Sequence, residues 1–276
     1  MVTGRTLLGR YEVEDRIGGG SCSAVFRGWD LLRKRPVAVK ICDTDTEDAR
    51  RRFEREARLA LALRHRFIVR VYEADPYGAP PFLVEEFLGG EDLNRKISRG
   101  EPPTVREKLQ LLEQIAAGLA YAHRRGVAHR DIKPENIRVL TDGSVKIMDF
   151  GIARIVSNES GITRPGIAIG SASHMSPEQI EGGPVDHRTD LFSWGVLAYE
   201  LFSGRKPFVA ASLSELFERI RREDPDSLLD AGVAPAVDGL VRRALAKNPA
   251  ARPQSADEIR LSLQCLRMAS ARPPAG

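Results

Sequence analysis

The segment AHRDIKPEN, residues 128–136, gathers an imidazole, a guanidinium, two carboxylates, an amine and an amide around a proline that keeps it out of a regular helix. Such a loop is suited to polar chemistry. It runs into IRVLTDGSVKIMDFG, where Asp142-Gly143 reads as a two-residue hairpin turn between alternating apolar residues. With that turn, residues whose numbers sum to 285 face each other, and Asn136 is expected opposite Asp149, side chains about 5 Å apart. Two converging oxygens suit a hard cation that keeps some water and also takes phosphate oxygens, namely magnesium. The plainer alternative is that Asn136 and Asp149 only cap the strands.

A second candidate for phosphate chemistry lies near the start of the chain. RIGGGSCSAVFRG, residues 16–28, sets three glycines between strand-like runs. A dinucleotide fingerprint would lead from its glycines into a helix, but SAVFRGWD continues as a second strand, so the motif reads as a hairpin lid.

These residues need elements to hold them. In RPVAVKIC, residues 35–42, alternation puts Val37, Val39 and Ile41 on one face and Ala38, Lys40 and Cys42 on the other. EDARRRFEREARLALALRH, residues 47–65, has Ala49, Phe53, Ala60 and Leu61 at helical spacing. Glu56 shares that inward face, where an unpaired carboxylate is costly, and Lys40 is the candidate cation. Otherwise Glu56 sits at the stripe's edge and reaches water. FIVRVYEA and PFLVEEFL read as two further strands of a small antiparallel sheet, and GGEDL, residues 89–93, marks a break. Beyond it Val105, Leu109, Leu112, Ala116 and Leu119 step as a helix stripe, DLFSWGVLAYELFSG (190–204) is apolar nearly all round, and helices are expected near 212–222, 236–247 and 255–268.

The totals exclude several classes. The 276 residues are 42% hydrophobic and 29% charged, a composition that folds, and the net charge of +4 is scattered rather than drawn into a nucleic-acid-binding stripe. Cys22, Cys42 and Cys265 lack metal-ligand spacing and suit a reducing compartment. No apolar run approaches the roughly 18 to 20 residues of a membrane span and no signal peptide is evident. The covered chain therefore reads as cytoplasmic, with a membrane anchor only if the parent protein extends beyond Gly276.

In this order the motifs resemble a eukaryotic-type serine/threonine protein kinase of the bacterial kind. Those that carry the resemblance are Ile17-Gly18-x-Gly20 with Val25, Val37-Ala38-Val39-Lys40, Glu56, His129-Arg130-Asp131 with Lys133 and Asn136, Asp149-Phe150-Gly151, Ser176-Pro177-Glu178, Asp190 and Arg252. The resemblance implies an α+β bilobal fold: residues 1–88 a small antiparallel sheet with one helix, 89–268 a larger, mainly helical lobe, and 269–276 a tail. It implies ATP and magnesium as cofactors, with manganese an admissible substitute, and as partners proteins bearing Ser or Thr, including the chain itself; a homodimer is compatible with it.

It also implies roles. The backbone of Gly18, Gly19 and Gly20 covers the phosphates, Ile17, Val25 and Ala38 pack on adenine, and the backbone of Glu86 to Leu88 hydrogen-bonds it. For Ala38, plain core filling is equally compatible. Lys40, aligned by Glu56, grips the α and β phosphates; Asn136 and Asp149 hold the metal; Asp131 accepts the hydroxyl proton; Lys133 steadies the γ-phosphate. Residues 152–175 are then an activation segment, with Thr163 the first choice for a phosphate that pairs Arg130, ahead of Ser157, Ser160 and Ser173, or else an unmodified loop threonine. Ser171 is expected to contact Asp131 and Lys133. Asp190 is an N-cap, a tether for the catalytic loop, or both, and Glu178 with Arg252 forms a buried ion pair.

Two departures stand out. Ser23 replaces the third glycine, and Glu85 falls where an apolar residue usually backs the nucleotide pocket; it competes with Glu56 for Lys40 or, with the register one residue off, points to solvent. A nucleotide-binding scaffold without transfer activity and a small-molecule phosphotransferase are the rival readings.

Overall fold

Alternation in β-branched residues builds the first unit. The computed structural model describes residues 3–19, 23–42, 46–99, 103–150 and 169–269, in two compact units that part between Gly90 and Glu91. In the first, β1 (Thr6–Leu7), β2 (Tyr11–Gly19), β3 (Ser23–Asp30), β4 (Arg35–Cys42), β5 (Val71–Asp75) and β6 (Phe82–Glu86) form an antiparallel sheet ordered β1-β2-β3-β4-β6-β5. Val37, Val39 and Ile41 are buried on one face with Tyr11, Val13, Phe82 and Val84. On the other face Cys42, Leu83 and Val71 pack against Phe53 of α1 (Glu47–Ala62).

The helix and the strands differ in detail from the expectation. Among the described side chains of α1, Phe53 and Ala57 are buried, whereas Leu61 is 37% exposed and the side chain of Ala49 lies outside the described residues. Leu61 is one residue past the row Phe53, Ala57, Ala60, and that extra 100° of helical rotation turns it outward. The run expected as a strand from Phe67 enters the sheet only at Val71. Phe67, Ile68 and Val69 are all buried, so no alternation marks a strand there, and the Ile68 N–H closes a turn on the His65 carbonyl at 3.1 Å.

The β3–β4 connection is built on one carboxylate. Asp30 is fully buried; its Oδ1 accepts from the backbone N–H of Leu32 (3.2 Å) and Arg33 (3.1 Å), and Arg10 donates to both oxygens at 2.8 and 2.7 Å. Arg10 also donates to Glu73, which accepts from the Tyr11 hydroxyl at 2.6 Å.

In the second unit β7 (Glu91–Asp92), β8 (Ile137–Val139) and β9 (Val145–Ile147) make a small antiparallel sheet, ordered as numbered. The short helix α2 (Leu93–Ser98) is N-capped by Asp92. Helix α3 (Val105–His123) opens on a capping box in which Thr104 and Glu107 satisfy each other's backbone N–H groups. Its stripe of Leu109, Leu112, Ala116 and Leu119 is buried, but Val105, in the first turn, is 57% exposed, outside the stripe expected to begin there.

Two short helices follow, α4 (Ile169–Ala172) and α5 (Pro177–Glu181). Helix α6 (Arg188–Ser203) is buried from Thr189 to Phe202. Gly195 permits that depth, because a Cβ there would lie 3.0 Å from the Cβ of Ala244 in α8 and 3.1 Å from Leu245. Helices α7 (Leu213–Arg222), α8 (Pro235–Ala244) and α9 (Ala256–Ala269) complete the unit, within a few residues of expectation. A sheet-and-helix unit followed by a mainly helical one is the α+β architecture the resemblance implied. Among the described residues no helix is long and apolar enough to cross a membrane.

The hydrogen bonds from Arg10, opposed by burial, hold the Asp30 carboxyl down at about 2. Asp30→Asn keeps the shape and removes the charge, and is expected to reduce stability near pH 7 by about 2 kcal/mol. The folded-state pKa lies below the unfolded value, about 3.9, so this stabilisation is complete above roughly pH 4 and is lost as pH falls toward 2. Urea denaturation across that window should show the gap between wild type and variant narrowing on acidification; a widening gap would contradict the pairing.

Candidate active site

In the first unit the register of β4 decides which residues share a face. Lys40 lies opposite Val25 of β3 and Leu83 of β6, and Ala38 lies opposite Arg27 and Glu85. Directly opposed residues of an antiparallel pair share a face, so Val25, Ala38, Lys40 and Glu85 all belong to the face that α1 covers at Leu83 and Cys42. The slip that would have turned Glu85 away does not occur. Lys40 is only 9% exposed. Glu56 belongs to α1, and its side chain lies outside the described residues.

The glycines divide into two kinds. At Gly19, with φ +144°, a Cβ would lie 2.6 Å from the Ser23 carbonyl oxygen and 3.0 Å from the Ala24 Cα, so the hairpin itself demands glycine. At Gly18, opposite Val25, a Cβ would meet nothing within 4 Å among the described residues. Gly20 lies outside the described residues, and Ile17 is 51% exposed. At the end of β6 the Glu86 N–H donates to the Arg70 carbonyl at 2.9 Å while the Arg70 N–H donates to Glu86 Oε1 at 2.8 Å. Leu88 follows, half-buried.

In the second unit the polar loop hangs on Asp190. Its fully buried carboxylate accepts from the backbone N–H groups of His129 (2.7 Å) and Arg130 (2.6 Å), and lies 2.8 Å from His123 Nε2. Burial works against the charge, but the hydrogen bond from His123 and the backbone N–H of His129 outweigh it and hold the carboxyl below its ordinary range. Asp190 is the third residue of α6, whose N-cap is His187; the N-cap alternative is therefore wrong, because the carboxylate is directed at the loop instead of at its own helix end. Arg130 takes a left-handed conformation, φ +66°, with its carbonyl accepting from Gln179 Nε2 at 2.9 Å.

The tether organises the side chains that follow. The Asp131 N–H donates to His129 Nδ1 at 3.2 Å, which leaves Nε2 as the protonated nitrogen donating to the Met148 carbonyl at 2.8 Å; the ring packs on Phe150, centroids 4.7 Å apart. Lys133 Nζ lies 2.9 Å from Asp131 Oδ2. Asn136 Nδ2 donates both to that oxygen (3.1 Å) and to the Asp131 carbonyl (2.8 Å), so its two hydrogens are committed and the amide presents Oδ1 as an acceptor.

The expected register of the next hairpin is off by one. Ile137, Arg138 and Val139 pair with Ile147, Lys146 and Val145, and the Met148 N–H donates to the Asn136 carbonyl at 2.8 Å. Asn136 therefore faces Met148, not Asp149. Gly143, at φ +77°, adds a residue to the loop: the Leu140 N–H donates to the Ser144 carbonyl at 2.8 Å, and Asp142 Oδ1 accepts from the Ser144 N–H at 2.9 Å. This is a three-residue turn closed by a glycine bulge. Asp149 follows β9 in a left-handed conformation, φ +46°, so a backbone twist and not cross-strand pairing sets its direction. Among the described residues no group of three or more His, Cys, Asp or Glu is placed to hold a metal ion.

Thr163, Ser157 and Ser160 lie outside the described residues, as does the side chain of Ser171. Ser173 is 3% exposed, donates to the Gly170 carbonyl at 2.8 Å and receives Lys206 Nζ at 3.0 Å, so burial removes it as a modification candidate. Arg252, its side chain fully buried, donates to both oxygens of Glu178 at 2.7 and 2.8 Å and to the carbonyls of Ala246, Arg188 and Lys247. Thr189 adds a 2.6 Å hydrogen bond to Glu178. Burial opposes the Glu178 charge, but these partners hold its carboxyl below the ordinary range. Sequence reasoning missed Thr189, Gln179 and His123, each of which carries a polar group that becomes informative only once its partner is placed.

A family model for the protein kinase domain matches residues 11–262, and the chain belongs to that family. It is 41% identical over 249 residues to serine/threonine-protein kinase PknL of Mycobacterium tuberculosis, covering 88% of this chain and 62% of the relative. It is 36% identical over 283 residues to serine/threonine-protein kinase PknB of Mycobacterium leprae (99% and 45%), and 39% identical over 274 residues to the probable serine/threonine-protein kinase SCO3848 of Streptomyces coelicolor (95% and 41%). The chain thus spans about two fifths to three fifths of the length of these relatives.

Truncating Arg252 strands a buried carboxylate. Arg252→Ala is expected to lower unfolding stability by about 3 kcal/mol, and pairing it with Glu178→Gln should recover part of that loss. Chemical denaturation of the two variants checks this; a double variant less stable than Arg252→Ala would show that the ion pair is not what holds this corner.

Proposed function

We propose that the protein is a serine/threonine protein kinase, transferring the γ-phosphoryl group of ATP to Ser and Thr hydroxyls of proteins, itself included. The observation that carries this is the Asp131, Lys133 and Asn136 array, fixed on a left-handed loop whose N–H groups are anchored to buried Asp190. Phosphoryl transfer asks for positioning and charge neutralisation above all, and that is what a pre-organised array provides.

In this reading the substrate oxygen forms a bond to the γ-phosphorus as the bond to the ADP oxygen breaks, and the hydroxyl proton passes to Asp131. Lys133 neutralises the transferring group. Lys40, with Glu56, neutralises the α and β phosphates. Asn136 Oδ1 and the Asp149 carboxylate fit magnesium, or manganese, as a pair of hard oxygen donors; the ion when bound shields phosphate charge. Gly18 supports the lid assignment, since no atom of the described residues requires a glycine there. Ile17, Val25 and Ala38 are assigned to adenine packing and the backbone of Glu86 to Leu88 to its edge. Thr163 is assigned as the activating phosphorylation site, its phosphate pairing Arg130.

Incubation with labelled ATP, magnesium and a generic basic protein should give incorporation that falls by on the order of 10²- to 10⁴-fold in Asp131→Asn and ceases on chelation of the metal. Equal incorporation in wild type and variant would end the enzymatic reading. Mass spectrometry of protein made without other kinases should find phosphate on Thr163 in the wild type and none in Lys40→Met; phosphate on both would assign the modification to another enzyme.

A further inference from the structure

Away from the residues assigned to phosphoryl transfer, the first unit carries a cavity of about 360 Å³ lined by Arg10, Arg33, Arg35, Arg64, Arg70 and Tyr72. We propose that it is a binding site for a phosphorylated serine or threonine within a peptide. Five arginines line one small concavity and, among the described residues, no carboxylate does; Arg10 is already paired with Asp30 and Glu73. The fold holds the wall in place beforehand. Asp30 pins Arg10 through two hydrogen bonds and closes the turn that carries Arg33. The guanidinium of Arg35 lies 3.7 Å from the centroid of the Tyr72 ring, and that of Arg70 lies 5.7 Å from the same ring.

Arg35 keeps its Nε buried against Asp30, 3.7 Å from Oδ2, while its side chain as a whole is 37% exposed. A phosphate oxygen matches a planar guanidinium fork with full charge. A concavity of this volume accommodates a phosphorylated side chain, whereas a membrane or a nucleic-acid backbone would call for an extended basic face.

Exposed apolar residues next in sequence to the cavity wall favour a peptide over a free ion. Leu31 and Leu32, 47% and 69% exposed, directly precede Arg33, and the Leu31 N–H donates to the Arg10 carbonyl at 3.0 Å. An apolar ledge tied to the anion-binding wall gives residues flanking a phosphate something to pack on, and inorganic phosphate would make no use of it. That the phosphate is on serine or threonine rests on the proposed kinase activity; the anion site does not.

The test needs no catalysis. Fluorescence anisotropy of the 276-residue chain with a labelled phosphothreonine peptide of apolar flanks should show binding at least about tenfold tighter than for the unphosphorylated peptide. The double variant Arg33→Ala/Arg64→Ala, at two exposed positions, should abolish that preference while circular dichroism stays unchanged. Equal affinity for the two peptides would overturn the proposal. So would a preference that survives in the double variant, which would move the phosphopeptide elsewhere on the protein. Competition by inorganic phosphate as effective as by the peptide would reduce the site to a free-ion site. Arginine-dependent capture of phosphatidylglycerol vesicles without peptide discrimination would make it a membrane contact. Since ATP is absent from the experiment, failure here leaves the kinase assay unaffected, and failure of that assay leaves this result standing.

Discussion

A single carboxylate without water holds the catalytic loop in shape. Asp190 is fully buried in α6, and a charge in that position is tolerable only because the N–H groups of His129 and Arg130 and the ring of His123 converge on it. The dependence runs both ways. Arg130 adopts a left-handed backbone, unfavourable for a residue with a Cβ, and keeps it because its N–H has a fixed charged acceptor. Helix α6 can supply that acceptor only by being immobile, which follows from its burial on all sides and from the close approach to α8 that Gly195 permits.

From that anchor the polar residues order one another outward. His129 can receive the Asp131 N–H on Nδ1 only if its proton sits on Nε2, and the Met148 carbonyl secures that tautomer. Asp131 in turn gathers Lys133 and Asn136, and Asn136 reaches the next hairpin through its own carbonyl. Each group is held by a partner that is itself held, which is how a loop attains the pre-organisation expected of rigid elements.

The legible parts of the chain were those governed by period or by a strong local rule. Alternation in RPVAVKIC assigned the faces of β4, and the apolar circumference of 190–204 marked a buried helix. The errors share a cause, namely a local signal compatible with two geometries. Asp-Gly suits a two-residue turn and equally a three-residue turn with a left-handed glycine; the Asp142 side chain accepting from Ser144 selected the second, and every pairing moved by one. Leu61 and Val105 matched their stripes by spacing but lie past the edge or in the first turn. The role of Asp190 depended on residues some 60 positions away, and no periodicity carries that information.

The glycine-rich hairpin separates what a fold requires from what a function requires. Substitution at Gly19 would drive a Cβ into the backbone of its partner strand, so that glycine would be needed in a hairpin that bound nothing. At Gly18 no atom of the described residues lies where a side chain would be, and the β2–β3 pairing offers no reason for its identity. The same distinction applies to Lys40, an amine at 9% exposure whose directly opposed partners, Val25 and Leu83, are apolar. Packing alone would favour an aliphatic residue there. The register keeps Glu85 as its diagonal neighbour across β4 and β6, roughly 7 to 8 Å away between backbones, so this departure from the family pattern adds a carboxylate to the lysine's face without removing the lysine.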